Sequence, residues 1–138
     1  MPWMFQANPR KFDIDGALRT GRQLRWALRQ HARDVAVGDP ALIWRSGPSR
    51  GIVAVGVVAG VRPDEPEVAE WEEEFELEPF DPASSAVIAE LNVAVVPLIP
   101  DVILRQDPVL SNLLVLRRPN ATVFRVSDEE WEALGPLT

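Results

Sequence analysis

The chain has 138 residues, a formal net charge of −7, 46% hydrophobic and 25% charged residues, and no cysteine. One domain with a sizeable core is the simplest reading of that length and composition. The missing cysteine excludes a disulfide scaffold, a thiolate metal site and a cysteine nucleophile.

The negative charge argues at first against a nucleic-acid partner, but it is concentrated. Ten acids and no bases lie between Asp64 and Asp81, whereas residues 1–63 carry ten bases and four acids. The N-terminal half can therefore present a basic face. Met1-Pro2-Trp3-Met4-Phe5-Gln6 lacks the basic-then-apolar pattern of a secretory signal. The longest apolar run, Gly51 to Val61, is far shorter than the ~20 residues a spanning helix needs. A cytoplasmic protein with no membrane partner is expected.

In chain order, Trp3 to Gln6 reads as an opening strand. Asn8-Pro9 ends it, because the residue before proline is pushed toward extended geometry. Asp13 is a candidate N-cap for a short helix over Ile14 to Thr20, closed by Gly21. Leu24 to Leu28 is predicted as a brief strand and Arg29 to Asp34 as a helical turn. Gly38-Asp39-Pro40 marks a tight turn before a strand over Leu42 to Trp44, and Ser46-Gly47-Pro48-Ser49 is turn chemistry. In the long strand that follows, strict alternation puts Ala54, Gly56 and Gly60 on one face. Val53, Val55, Val57 and Val61 fall on the other. Small residues along one face suit the curvature of a small barrel.

Arg62 to Ser85 reads as a long loop of prolines and acids. Val87 to Val96 is the next strand, ended by Pro97. Asp107-Pro108 opens a short helix with Leu110, Leu113 and Leu114 on one side, and Thr122 to Val126 is the last strand. Ser127 and Glu130 have capping-box spacing, with Val126 and Trp131 placed as a hydrophobic staple, and the helix stops at Gly135-Pro136.

Enzyme chemistry has little to work with. His31 is the only histidine and reads as a surface residue, so a zinc site is not expected. Gly47 to Gly51 reads as a hairpin turn rather than a phosphate loop. The acids from Asp64 to Glu78 look like a solvated face.

The run Val37-Gly38-Asp39-Pro40-Ala41-Leu42-Ile43-Trp44-Arg45-Ser46-Gly47, continuing through Arg50-Gly51-Ile52-Val53-Ala54-Val55-Gly56, resembles the EVE domain. Asn8-Pro9 and Trp26 upstream belong to the same pattern. This family sits in the PUA-like group with the YTH and ASCH domains. The likeness extends from Trp3 to about Leu134; the acidic loop matches no family motif. The resemblance implies an α+β fold, a small mixed β-barrel flanked by short α-helices, in a single domain spanning 1–138 with the acidic loop at about 62–85.

It also implies recognition of a modified nucleobase, a methylated or hydroxymethylated cytosine first, in DNA or RNA through an aromatic pocket. Trp26 would stack on the base, with Trp44 or Trp71 as the opposing wall. Stacking on one aromatic ring is worth roughly 1–3 kcal/mol, and a flipped-out base gives the pocket two faces to hold. Gln6, Asn8 and Ser46 would read the base edge, since an amide can donate and accept at once. Arg117 and Arg118 would hold backbone phosphate.

No cofactor is implied, and Trp3 and Trp131 read as core. A monomer is expected, with weak, salt-sensitive affinity that a partner protein would raise by avidity. Two other classes stay open. One is an interaction module of a defence or toxin-type system, docking through the acidic loop. The other is a small base-directed amidohydrolase built on Lys11, the only lysine, because some ASCH-type relatives use a lysine nucleophile.

Overall fold

The computed structural model describes residues 1–62, 75 and 87–137. Alternating and β-branched segments form β1 (Trp3–Ala7), β2 (Leu24–Ala27), β3 (Pro40–Arg45), β4 (Gly51–Arg62), β5 (Ile88–Pro100) and β6 (Val123–Arg125). They make one mixed sheet in the order β2-β5-β4-β3-β1-β6. β1 runs parallel to β3 and every other pair is antiparallel. The sheet curls into a half-barrel whose two edges, β2 and β6, do not pair with each other.

The short helices are α1 (Ile14–Arg19), α2 (Asp101–Gln106), α3 (Leu114–Arg117) and α4 (Asp128–Leu134). Local signals set the first and last of these. Asp13 accepts a hydrogen bond from the Gly16 amide at 3.1 Å. Ser127 and Glu130 form a reciprocal capping box, with bonds of 3.1 and 2.8 Å.

Alternation along β1 and β3 divides the interior in two. Trp3, Phe5, Ala7, Ala41 and Ile43 face a first core completed by Ile14, Ala17 and Leu18 of α1 and by Leu24, Leu28, Val58 and Leu91. Met4, Leu42 and Trp44 face a second core, closed over by Leu104, Leu110, Leu113, Val115, Val126 and Leu134 from the C-terminal helical segments. Trp131 is half-buried against this second core, on the same side as Val126.

Several expectations are corrected here. The alternation along β4 is not strict, because its register shifts between Ile52 and Ala54 and again between Val58 and Gly60. Val53 and Val61 therefore meet the first core and Val55 the second, while Val57 is exposed. Each bulge resets which side chain faces inward.

β5 does not stop at Pro97 but runs to Pro100. The pairing with β4 jumps from Val95 to Ile99, and β2 covers only Ile88 to Leu91. Pro97 therefore sits where no ladder bond needs its missing N–H. The turn expected over Arg29 to Asp34 occupies only its second half, where the Asp34 and Val35 amides donate to His31 O at 2.9 and 3.1 Å; Arg29 and Gln30 form a bend, and His31 has φ 58°. Leu114 is exposed, whereas Leu110 and Leu113 are buried. α2 was not foreseen. The acidic segment, apart from Arg62 and Phe75, lies outside the described residues.

Gly56 does what its place on a crowded strand requires. A Cβ there would run into the Asn92 carbonyl oxygen, so β5 approaches β4 this closely only because the side chain is absent. The turn before β3 is held by Asp39, whose carboxylate accepts from the Trp3 indole N–H at 2.8 Å and the Ala36 amide at 2.9 Å. Burial works hardest on this carboxyl and favours its neutral form. The Ala36 amide, the Trp3 indole and the Met1 ammonium together outweigh that and hold it below its ordinary 3.8.

Candidate nucleic-acid interface

Trp26 stands opposite Ala89 on β2, an edge strand. Its indole is half-buried at the margin of the first core and meets Phe5 edge-on, with ring centroids 5.8 Å apart and an interplanar angle of 64°. Phe12 and Phe75 lie half-buried on the same core, 6.4 Å apart in an edge arrangement. The Phe75 carbonyl accepts from the Asp13 amide at 2.7 Å, next to the start of α1. Gly16 gives Phe75 room, since a Cβ there would come within 2.7 Å of the ring. The first core is thus rimmed by aromatic side chains that are not fully covered.

The other expected base-contacting residues are dispersed. Trp44 is 2% exposed and belongs to the second core, on the face of β3 away from Phe5 and Trp26. It packs under the sheet and does not stand beside Trp26. Gln6 lies on that same far face, opposite Trp44, and both N–H groups of its amide are spent. They donate to Pro119 O at 3.0 Å and Ala121 O at 2.6 Å. Gln6 therefore anchors the loop before β6 and has no donor left for a base edge.

Asn8 is exposed and accepts from the Arg10 amide at 3.0 Å, an Asx turn that steers the chain out of β1. Ser46 ties the end of β3 to β1, with its amide and hydroxyl both donating to Ala7 O, at 2.9 and 3.2 Å. Asn8 and Ser46 do share the C-terminal end of the parallel β1–β3 pair. Trp71 lies outside the described residues.

Arg117 and Arg118 end α3 and are exposed. The Gln6 bonds pin their loop beside the end of β1. His31 is no plain surface residue: its ring lies 5.1 Å from that of Trp3, and Nδ1 is 3.8 Å from Asp34. Lys11 is exposed in the turn after Asn8, where its amide donates to Asn8 O at 2.9 Å. Among the described residues no group of His, Asp and Glu could hold a metal ion, and no helix is long and apolar enough to cross a membrane.

Charge pairing divides the cations. Arg45 is bound to Asp15 at 2.8 Å, Arg62 to Glu90 at 2.6 Å and Arg125 to Asp34 at 3.0 Å. Arg10, Lys11, Arg29, Arg33, Arg117 and Arg118 are all exposed and form no ion pair with a described residue. Arg10 and Lys11 follow the end of β1, and Gln6 holds the loop after Arg117 and Arg118 beside that strand. A shallow groove of about 380 Å³ between Gln23, Gly56 and Asn92 involves none of the expected site residues.

Sequence reasoning missed two residues. Phe75 is one of three aromatics amid the acids, with Trp71 and Phe80, and that was the available signal. Gln30 gave none: its side-chain oxygen accepts from Thr122 N, Thr122 Oγ1 and Val123 N at 3.1, 3.1 and 3.2 Å.

A curled mixed sheet with a parallel β1–β3 pair and short helices on both faces defines a PUA-like domain. Within that class the EVE domain model matches residues 2–135, and the chain belongs to that family. Solved structures with this fold include a Pseudomonas syringae protein, 20% identical with a TM-score of 0.68, covering 99% of both chains. Human THYN1, solved in complex with 5-methylcytosine-containing DNA, is 16% identical with a TM-score of 0.66, covering 99% of this chain and 96% of that one. A Zymomonas mobilis ASCH protein is 12% identical with a TM-score of 0.64, covering 99% and 98%. A search of curated proteins finds no match.

Proposed function

We propose that this EVE domain is a binding module that takes up one modified base, extruded from DNA or RNA, against Trp26. The observation that carries the reading is the half-burial of that indole on an edge strand, in a T-shaped contact with Phe5 at the margin of the first core. A core tryptophan in this fold looks different, as Trp3 and Trp44 demonstrate at 1% and 2% exposure.

With Trp44 committed to the second core, the opposing wall falls to Trp71. The exposed Arg117 and Arg118 hold backbone phosphate, and Asn8 and Ser46 supply polar groups at the end of β1. Human THYN1, of the same fold, has been solved with 5-methylcytosine-containing DNA, which makes methylated or hydroxymethylated cytosine the first ligand to test. The methyl group gains from leaving water for an aromatic surface. Binding, rather than catalysis, is the activity proposed.

The test is fluorescence anisotropy at low salt. Single- and double-stranded oligonucleotides carry cytosine, 5-methylcytosine, 5-hydroxymethylcytosine or N6-methyladenine. Preference for one modified base, weakened about 5- to 150-fold in Trp26→Ala as the loss of one stacked ring requires, is expected. Equal affinity for all bases, or an unchanged preference in folded Trp26→Ala, would overturn the reading.

A further inference from the structure

Among the described residues β2 and β6 do not pair with each other, yet the chain leaving β2 reaches across to the opposite edge. Leu28 still donates to Val87 O at 2.9 Å. Two residues later, Gln30 places its side-chain oxygen against Thr122 N, Thr122 Oγ1 and Val123 N. Further along, His31 lies on Trp3 and Asp34 pairs with Arg125. A strap thus covers the β6 edge, and at its head one amide oxygen satisfies two backbone donors that an edge strand would otherwise leave open.

The same short loop is held from its other side by Gln6, which donates to Pro119 O and Ala121 O and whose backbone amide donates to Thr122 O at 2.9 Å. Two glutamines therefore clamp residues 119–123 with opposite ends of their amides. Arg117 and Arg118 sit immediately before that clamp, while Trp26 is four residues before Gln30. Gln30 thus joins the segment that follows the indole to the loop that follows the two arginines.

Resting on the function proposed above, we infer that Gln30 is a positioning residue for nucleic-acid binding. It fixes the reach between Trp26, which takes the base, and Arg117 and Arg118, which take the phosphate. It touches neither ligand group itself. Without it the strap and the loop before β6 lose the three bonds that join them at this point. The loop is then held by Gln6 alone on its other side, and a nucleotide stacked on Trp26 meets the two guanidinium groups at a less closely set distance.

The experiment measures affinity for a 5-methylcytosine oligonucleotide against salt for the wild type, Gln30→Met, Arg117→Ala/Arg118→Ala and the triple variant. Gln30→Met keeps the side chain's length but removes the acceptor. It is expected to weaken binding roughly tenfold and to flatten the plot of log affinity against log salt by about 1 for each arginine that no longer reaches a phosphate. The ratio of methylated to unmethylated affinity stays unchanged. Added to the double arginine variant, Gln30→Met changes nothing further, because its effect passes through those residues.

An unchanged salt slope in Gln30→Met, or an equal loss in the presence and absence of the arginines, would overturn the inference. If Gln30→Met does not fold, Thr122→Val removes only the hydroxyl donor. It should flatten the slope in the same direction by less, and no change there also overturns it. A wild type that does not bind at all defeats the proposed function together with this inference. Wild-type binding with an unaltered Gln30→Met defeats the inference alone.

Discussion

The two faces of one sheet are finished differently. The second core is closed over by the C-terminal helical segments, and its largest residue, Trp44, is lost from solvent. The first core is capped by α1 but left at its margin with half-buried Phe12, Trp26 and Phe75. Stability asks for the first arrangement everywhere, since exposed aromatic surface forgoes burial worth about 25 cal/mol per Å². Three half-covered aromatic side chains gather at the edge of the first core against one, Trp131, at the second, and that concentration marks where the fold keeps surface for something that is not part of the chain.

The sharpest way to break this comparison is to exchange the treatment of the two tryptophans. Trp44→Ala should cost about 3–5 kcal/mol, the usual loss for emptying a packed aromatic site, and lower the thermal midpoint steeply in circular dichroism. Trp44→Phe should fold and keep its oligonucleotide preference. Trp26→Ala should show the reverse, a smaller loss of stability with the loss of binding described above. If Trp26→Ala unfolds as readily as Trp44→Ala, the two faces are equivalent and the contrast fails.

The next effect concerns the curvature both faces share. Gly56→Ala drives a methyl group into the Asn92 carbonyl, and relieving it must part β4 from β5. A loss of about 1–3 kcal/mol, typical of overpacking, is expected by urea titration. A neutral result would mean the strands already have room there.

The smallest effect is electrostatic. Folding holds the Asp39 carboxyl below 3.8, so its contribution is present above the unfolded value and fades as pH falls through the lower folded one. The acid limb of the stability curve should therefore flatten in Asp39→Asn, with little change in how stability varies above about pH 5. An Asp39→Asn curve parallel to the wild type down to about pH 2 would show that the indole and amide bonds do not depend on the charge.

What could be read from the sequence was what neighbours in sequence decide. Asp13 and Ser127 cap helices whose amides lie three residues away, and both pairs are legible from spacing alone. Residues that act at a distance are not. Gln30 meets Thr122 across 92 positions, and nothing about a glutamine in a polar stretch announces an acceptor for an edge strand. Gln6 reads as a base-edge residue because strand ends carry polar groups, but its donors turn to carbonyls 113 and 115 residues on.

Trp44 stands next to Ile43, and alternation alone says only that the two face opposite ways. Which side faces the helices is decided by the C-terminal third of the chain. The β4 valines fail for a simpler reason, because a bulge has no composition of its own and each one inverts every assignment beyond it.

The position of β1 has a consequence during synthesis. Its partners are β3 and β6, with Trp3 opposite Ala41 on one side and Arg125 on the other. A ribosome adds ~5–20 residues each second, so the first strand waits for the last by an interval on the order of 6–25 s. During it Met4 and Phe5 have been made, but the strand that completes their side of the sheet has not. The side of β1 that pairs with β6 can be completed only after residue 125 is made, so the translation of residues 46–125 determines how long this apolar segment remains half-paired.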